Sequence, residues 1–214
     1  MPPESAPVMS LRERKKRAAR KALASTALRL AMERGMDQLR VEDIASEVGV
    51  SPRTFNNYFA SKEQAVCSFI VERQERIRDA LLERPADEPL WDAIINATAV
   101  QHLREEQPRR EDVHRIREML HNHGLFGEML RAHADSERLL ADALAERAGE
   151  GTNPLHACML AGIVQSASRI AFQTWMQSED EHSLLPIFVE LLREAAAGMP
   201  ELTAVAAGAT APAS

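Results

Sequence analysis

The sequence predicts an all-α protein of about nine helices, on three observations. Ala, Leu, Arg and Glu dominate while aromatic residues make up 4% of the 214 residues, a mixture that favours helices over strands. Apolar residues recur at three- and four-residue intervals through most of the chain, and Ser, Asn, Pro and Gly stand where those runs begin and end. The hydrophobic content, 45%, is enough to bury a sizeable core.

Ser10 and Glu13 have capping-box spacing and open a helix that runs to Arg34, with Leu23, Ala27 and Leu30 on one face and Gly35 as its stop. A short helix over 41–47 follows, burying Val41, Ile44, Ala45 and Val48. Gly49 ends it, because a tight bend between two helices needs a residue tolerant of positive φ. Ser51 and Pro52 form an N-cap and first-turn pair for a third helix, which reaches Tyr58 or Phe59. Ser61 and Gln64 repeat the capping box and begin a long helix striped by Val66, Phe69, Ile70, Arg73, Ile77 and Leu81, which should run out of the N-terminal head into the body.

Pro85 and Pro89 interrupt before a helix at 90–106 that carries Trp91, Ile94, Ile95, Thr98 and His102. Pro108 separates it from a helix at 110–122 striped by Val113, Ile116 and Leu120, and a longer one follows at 125–148. Asn153 and Pro154 cap a helix to about residue 178, whose Met159, Leu160, Ile163, Val164, Ala167, Ile170, Ala171, Phe172 and Trp175 cover more than one stripe. The last helix, 184–197, presents Leu184, Ile187, Phe188, Leu191, Leu192 and Ala195 before Gly198 and Pro200 end it. Pairing these last two helices with their copies in a second subunit explains their apolar breadth better than one chain does, so a homodimer is expected.

The net charge of -6 is divided unevenly. Residues 1–62 hold 12 Lys and Arg against 7 Asp and Glu, a net of +5, which leaves 14 against 25, a net of -11, for the remainder. All four lysines (Lys15, Lys16, Lys21 and Lys62) lie in that first part. A basic head on an acidic body is the electrostatic footprint of a DNA-binding module joined to a domain that avoids DNA. The expected organisation is a disordered tail at 1–9, a DNA-binding head at 10–62, a larger helical body at 63–198 that carries the dimerisation helices, and a second disordered tail at 199–214.

The N-terminus lacks a charged region followed by an apolar one, and no run of about 18 apolar residues exists, so neither a secretory signal nor a membrane span is indicated and a cytoplasmic protein is expected. Cys67 and Cys158 show no metal spacing and sit in apolar helical patterns, where buried reduced thiols are expected. Neither a metal nor another cofactor is expected, since His121 and His123 lack the spacing of a paired ligand set.

Segment 40–59, RVEDIASEVGVSPRTFNNYF, meets the physical requirements of a helix-turn-helix. Ala45 is small where the helices cross, Gly49 makes the turn, and Val50 and Phe55 plug the seam, so the second helix presents its N-terminal polar residues to a major groove about 12 Å wide. The segment also resembles the TetR family through Gly35, Val41, Ile44, Ala45, Gly49, Val50, Ser51, Thr54, Tyr58, Phe59, Ser61, Lys62 and Glu63. The resemblance covers about residues 11–75, and the phrase SPRTFNNYFASKEQA is most similar to actinobacterial members with Arg-Thr-Phe-Phe-Asn-Tyr-Phe, some of which sense acyl-CoA-like effectors. Arg40, Val48 and Asn56 depart from the family pattern, where Thr, Ala and an aromatic are usual.

The resemblance implies phosphate contacts from Thr54, Tyr58 and Lys62 and base-edge contacts from Pro52, Arg53 and Asn57. Ser51 and Asn56 complete the candidate DNA-facing set with Arg40, which departs from the pattern but can supply a phosphate contact of its own. On its own chemistry Arg53 can grip guanine bidentately or bind a phosphate, and Tyr58 can hold a phosphate or pack with its hydroxyl exposed. The basic run of Arg12, Arg14, Lys15, Lys16, Arg17, Arg20 and Lys21 is either a solvated face or a contact with neighbouring phosphates.

In the body, Trp91, Met119, His123, Phe126, Met129, Phe172 and Trp175 are candidates for an effector pocket; large adaptable apolar groups at helical spacing also serve as ordinary core. The family resemblance favours the pocket, for an acyl-CoA-like or other hydrophobic effector. The expected function is therefore a ligand-responsive repressor, released from a palindromic operator on double-stranded DNA. An enzyme with an accessory helix-turn-helix is the rival, but no G-x-G-x-x-G, P-loop, H-E-x-x-H or G-x-S-x-G is present, and no catalysis is expected. A helical architectural or interaction protein is the other alternative.

Overall fold

Residues 10–104, 109–149, 151–178 and 184–199 are described in the computed structural model. They form α1 (Leu11–Arg34), α2 (Val41–Val48), α3 (Pro52–Asn56), α4 (Lys62–Leu82), α5 (Leu90–Arg104), α6 (Val113–Leu120), α7 (His123–Ala148), α8 (Pro154–Gln177) and α9 (Leu184–Ala196), with a 3-10 turn at Arg110–Asp112 and no strand among them. The tail at 1–9, residues 200–214 of the second tail and the break at Pro108 lie outside the described residues.

Local capping chemistry sets most of the boundaries. Ser10 Oγ accepts the Glu13 N–H at 3.2 Å while the Glu13 carboxylate accepts the Ser10 N–H at 2.9 Å, a complete capping box. At α4 the Ser61 hydroxyl accepts the Gln64 N–H at 3.0 Å, and the Gln64 side chain reaches back to the Ala60 N–H at 2.7 Å. Asn153 caps α8 by accepting the Leu155 N–H at 3.0 Å, with Pro154 behind it. Gly49 stands at φ 75°, and a Cβ there would meet nothing within 4 Å, so backbone conformation and not space demands the glycine.

Two boundaries differ from expectation. α3 ends at Asn56, not at Tyr58 or Phe59, because the N–H groups of Asn57 and Tyr58 turn to carbonyls three residues back, Thr54 at 3.2 Å and Phe55 at 2.8 Å. The segment expected as one helix over 110–122 is a 3-10 turn followed by α6, and α7 starts at His123 because Asn122 caps it, accepting the Leu125 N–H at 3.0 Å.

The chain divides into two compact units: residues 1–69 with 114–132, and 70–113 with 133–214. The division falls inside α4 and inside α7, so each of these helices begins in the first unit and continues into the second.

In the first unit, Leu23, Ala27, Leu30 and Ala31 of α1 are buried, as are Ile44, Ala45, Phe55, Phe59, Ala65 and Val66, which supply its core. Four successive residues of α4, Ala65 to Ser68, are buried, which a helix with a single buried stripe could not achieve. The start of α7 covers a further side of it: Cys67 Sγ lies 3.8 Å from the Leu125 carbonyl. Burial pushes the Cys67 thiol up to about 12, with help from the charges of Glu128 and Glu63, so this cysteine is the inert thiol expected. Cys158 is the correction: it is exposed, because it lies on the part of α8 that its own chain leaves uncovered.

The second unit is built around Leu81, Ile94, Leu140, Leu144, Ala161, Val164, Phe188 and Leu192. Arg147 fastens the end of α4 there, its guanidinium donating to the carbonyls of Leu81 at 3.3 Å, Arg84 at 3.0 Å, Pro85 at 2.6 Å and Glu88 at 3.2 Å. Those carbonyls belong to a helix C-terminus and the loop after it, which carry partial negative charge that a cation neutralises. α8 is long and apolar enough to cross a membrane by length and composition alone, yet its alanines at 157, 161, 167 and 171 face this core.

Candidate nucleic-acid interface

α3, the second helix of the helix-turn-helix, is held from behind by aromatic burial. Phe55 and Phe59 are fully buried with ring centroids 5.6 Å apart, and each such side chain contributes about 1.5–3 kcal/mol on burial. With these two on the inner face, Ser51, Pro52, Arg53, Asn56 and Asn57 fall on the exposed face, while Thr54 and Tyr58 are half-buried at its edges. Ser51 Oγ accepts the Thr54 N–H at 3.1 Å and lies 2.9 Å from the Thr54 hydroxyl, which orients both hydroxyls at the start of the helix. Arg40, the N-cap position of α2, is exposed and makes no side-chain cap, the consequence of having a guanidinium where a hydroxyl would close the helix end.

Two cations are committed to building the head. Arg20 donates to the Tyr58 carbonyl at 2.9 Å, and its guanidinium stands 4.4 Å from the Phe59 ring centroid, so α1 grips the turn that follows α3 by a hydrogen bond and a cation–π contact. Lys62 donates to the carbonyls of Met36 at 2.7 Å and Leu39 at 2.8 Å, closing the loop between α1 and α2. Two of its three ammonium protons are thereby used, and one remains for another acceptor. Sequence reasoning found Lys62 but not these partners, which lie 26 and 23 residues away. Arg12, Arg14, Lys15, Lys16, Arg17 and Lys21 are exposed along α1.

The effector candidates are distributed over both units. Met119, His123, Phe126 and Met129 lie in the first, where Met119 is buried and Phe126 is 48% exposed. Trp91, Phe172 and Trp175 lie in the second; the rings of Phe172 and Trp175 are 6.1 Å apart, and Trp91 packs on the core. Among the described residues no cluster of His, Cys, Asp or Glu could hold a metal ion.

Two helices joined through a left-handed glycine, backed by a phenylalanine plug and presenting a polar face beside a basic helix, define a helix-turn-helix DNA-binding protein. Residues 23–65 match the family described as bacterial regulatory proteins, tetR family, and residues 88–200 match the family described as the MftR C-terminal domain. The chain is 30% identical over 177 residues to the HTH-type transcriptional regulator TcmR of Streptomyces glaucescens, covering 79% of this chain and 78% of that one. Its fold is similar to that of a TetR-family regulator from Syntrophomonas wolfei (TM-score 0.59, 13% identity, 85% of this chain and 96% of the other). A TetR-family regulator from Mesorhizobium loti is also similar (TM-score 0.51, 16% identity, 84% and 95%).

The chain belongs to the TetR family and is a ligand-responsive, DNA-binding transcriptional regulator. Regulators of this family bind DNA operators and small-molecule effectors, dimerise, and are typically cytoplasmic and non-enzymatic.

Proposed function

We propose that residues 10–62 read a palindromic operator as one half of a homodimer, and that residues 63–198 bind a small apolar effector whose arrival releases the DNA. The observation that carries this reading is the polar face of α3 standing on its buried Phe55–Phe59 plug. Arg53, Asn57 and Pro52 face the base edges, while Arg40, Ser51, Thr54, Asn56, Tyr58 and the remaining proton of Lys62 meet the backbone. The exposed basic residues of α1 add sequence-independent attraction.

The dimer forms through α8 and α9. Leu155, Met159 and Ile170 are 73%, 65% and 40% exposed along one side of α8, and Leu185, Ile187 and Leu191 of α9 are half-buried, an apolar surface that a second copy would cover. Two heads must then stand about 34–36 Å apart, or a multiple of it, to meet successive major grooves. Because α4 and α7 continue from one unit into the other, an effector that prefers a different tilt of α4 changes that spacing and with it the operator affinity. The protein acts by binding alone, as a repressor in the cytoplasm.

Binding of the purified protein to random genomic DNA fragments, followed by sequencing, tests the reading. A palindromic site should be enriched, with half-sites one helical turn or a multiple apart; recovery of no common sequence would refute it and favour an architectural role.

A further inference from the structure

The cations of α1 fall into two groups. Toward its C-terminal end they are spent within the head: Arg29 pairs with Glu33 at 2.8 Å and with Glu47, Arg34 lies 3.9 Å from Asp43, and Arg20 holds the Tyr58 carbonyl. At its start the balance is different. Residues 11–22 hold seven cations against one acid, Glu13, whose carboxylate accepts from the Ser10 N–H and hydroxyl at 2.9 and 2.7 Å. Among the described residues none pairs with Arg12, Arg14, Lys15, Lys16 or Lys21. Leu11 to Ala18 are all exposed, so this part of the helix has no core beneath it.

Such a stretch is unfavourable in the free protein. Arg12 and Lys16, and Lys16 and Arg20, are like charges four residues apart, and cations in the first turns oppose the helix dipole. An anionic partner relieves both costs. A lipid surface would also need an apolar face, and Leu11 is the one large apolar side chain before Leu23. A nucleic-acid duplex asks only for cations along its phosphates.

Helix geometry sorts these cations by side. Four residues advance an α-helix by about 6 Å and return to nearly the same face. Arg12, Lys16 and Arg20 therefore form one row, on the side of α1 that buries Leu23, Ala27 and Leu30 farther along. Arg14 and Lys21, seven residues apart, lie on the side away from it. Arg20 ends the row against Tyr58 and Phe59, directly after α3. Lys16 and Arg12 thus stand about 6 and 12 Å farther along α1 from the turn by which it holds the helix-turn-helix. They precede residues 23–65, the part that matches the family, so the row is an addition of this chain to the common head.

We infer that Arg12 and Lys16 bind phosphates of the duplex that flanks the half-site met by α3, so that each head covers more DNA than its helix-turn-helix spans. The inference rests on the DNA-binding reading above and narrows a general attraction to two side chains on one side of α1.

Two double variants of the full-length protein with equal loss of charge test it: R12Q/K16Q removes the row, and R14Q/K21Q removes cations from the other side. Glutamine is a good helix former, and circular dichroism should show both variants folded. On a mixed-sequence duplex the salt dependence of binding should fall by about two ions for each bound head in R12Q/K16Q and by less than about half an ion in R14Q/K21Q. The recovered operator is then compared in two lengths, one ending at the outer edges of the half-sites and one carrying about six further base pairs, roughly 20 Å, at each end. The longer duplex should bind wild type and R14Q/K21Q at least about tenfold tighter at low salt, and R12Q/K16Q by no more than about twofold. Equal salt slopes in the two variants, or a wild-type affinity indifferent to the flanks, would overturn the inference while leaving the operator reading intact. Failure to recover an operator would refute that reading alone, because the slopes on mixed-sequence duplex still test the row. Sedimentation with phosphatidylglycerol vesicles that R12Q/K16Q abolishes, beside duplex affinities it leaves unchanged, would assign the row to a membrane and overturn the inference.

Discussion

Lys62→Met removes an ammonium while keeping most of the aliphatic stem, so it isolates the two contacts to Met36 and Leu39 carbonyls at 2.7 and 2.8 Å. A hydrogen bond from a charged donor is worth about 1.5–3 kcal/mol, and the half-buried setting of Lys62 places the pair toward the low end, about 3 kcal/mol in all. For a chain of this size about 1 kcal/mol moves the melting temperature by roughly 2–4 °C, so the variant should melt about 6–12 °C below the wild type. Arg12→Met, which removes an exposed charge from α1, should melt with the wild type. Thermal unfolding followed by circular dichroism measures both. If the third ammonium proton also serves a phosphate, the salt dependence of operator binding in Lys62→Met should fall by about one ion. A melting temperature within about 2 °C of wild type would show that the carbonyl contacts hold nothing together, and the structural role given to Lys62 would be wrong.

Arg53→Ala should cost about 1–3 kcal/mol in operator affinity and relax specificity at one base pair, readable by competition with single-base operator variants; a uniform loss over all variants would make Arg53 a phosphate contact. Replacing Met159 with Asp places a charge within the exposed side of α8, and sedimentation should then give the 23.8 kDa chain mass in place of twice that value; an unchanged dimer would exclude this surface. Arg147→Met strips four carbonyls at the end of α4 and in the loop after it of their donor, and hydrogen exchange at residues 81–90 should accelerate while the head is unaffected. The Glu88 carboxyl is held at about 2 by the hydrogen bond from Arg84, against the effect of burial and with help from Asn96 and the charges of Arg84 and Arg147. Its folded value is depressed, so its stabilisation is complete above the ordinary value of 4.5 and is lost as pH falls through about 2. The melting difference between wild type and Glu88→Gln should therefore be constant near neutrality and shrink between those two pH values; a difference that persists at the acid end would contradict it.

What could be read without coordinates was whatever is decided within one helical turn. Ser10 with Glu13, Ser51 with Pro52, Ser61 with Gln64 and Asn153 with Pro154 act on backbone groups two to four residues away, so spacing alone exposes them. The helix-turn-helix belongs to this class, since its glycine turn and phenylalanine plug are local requirements. Asn122 was equally local and was missed, because the stripe of 110–122 ran past it without a Gly or Pro to mark the end.

The sequence by itself determined the all-α class, the helix-turn-helix and the sign of the charge on each part of the chain, because periodicity, capping and composition are properties of neighbouring residues. Tertiary structure alone decided which cations build the head and which remain exposed, why Cys158 faces outward, and how Gln74 comes to meet Gln165 from 91 residues away. Those outcomes depend on which helix faces meet, and an amphipathic pattern states that a face must be buried without naming what covers it.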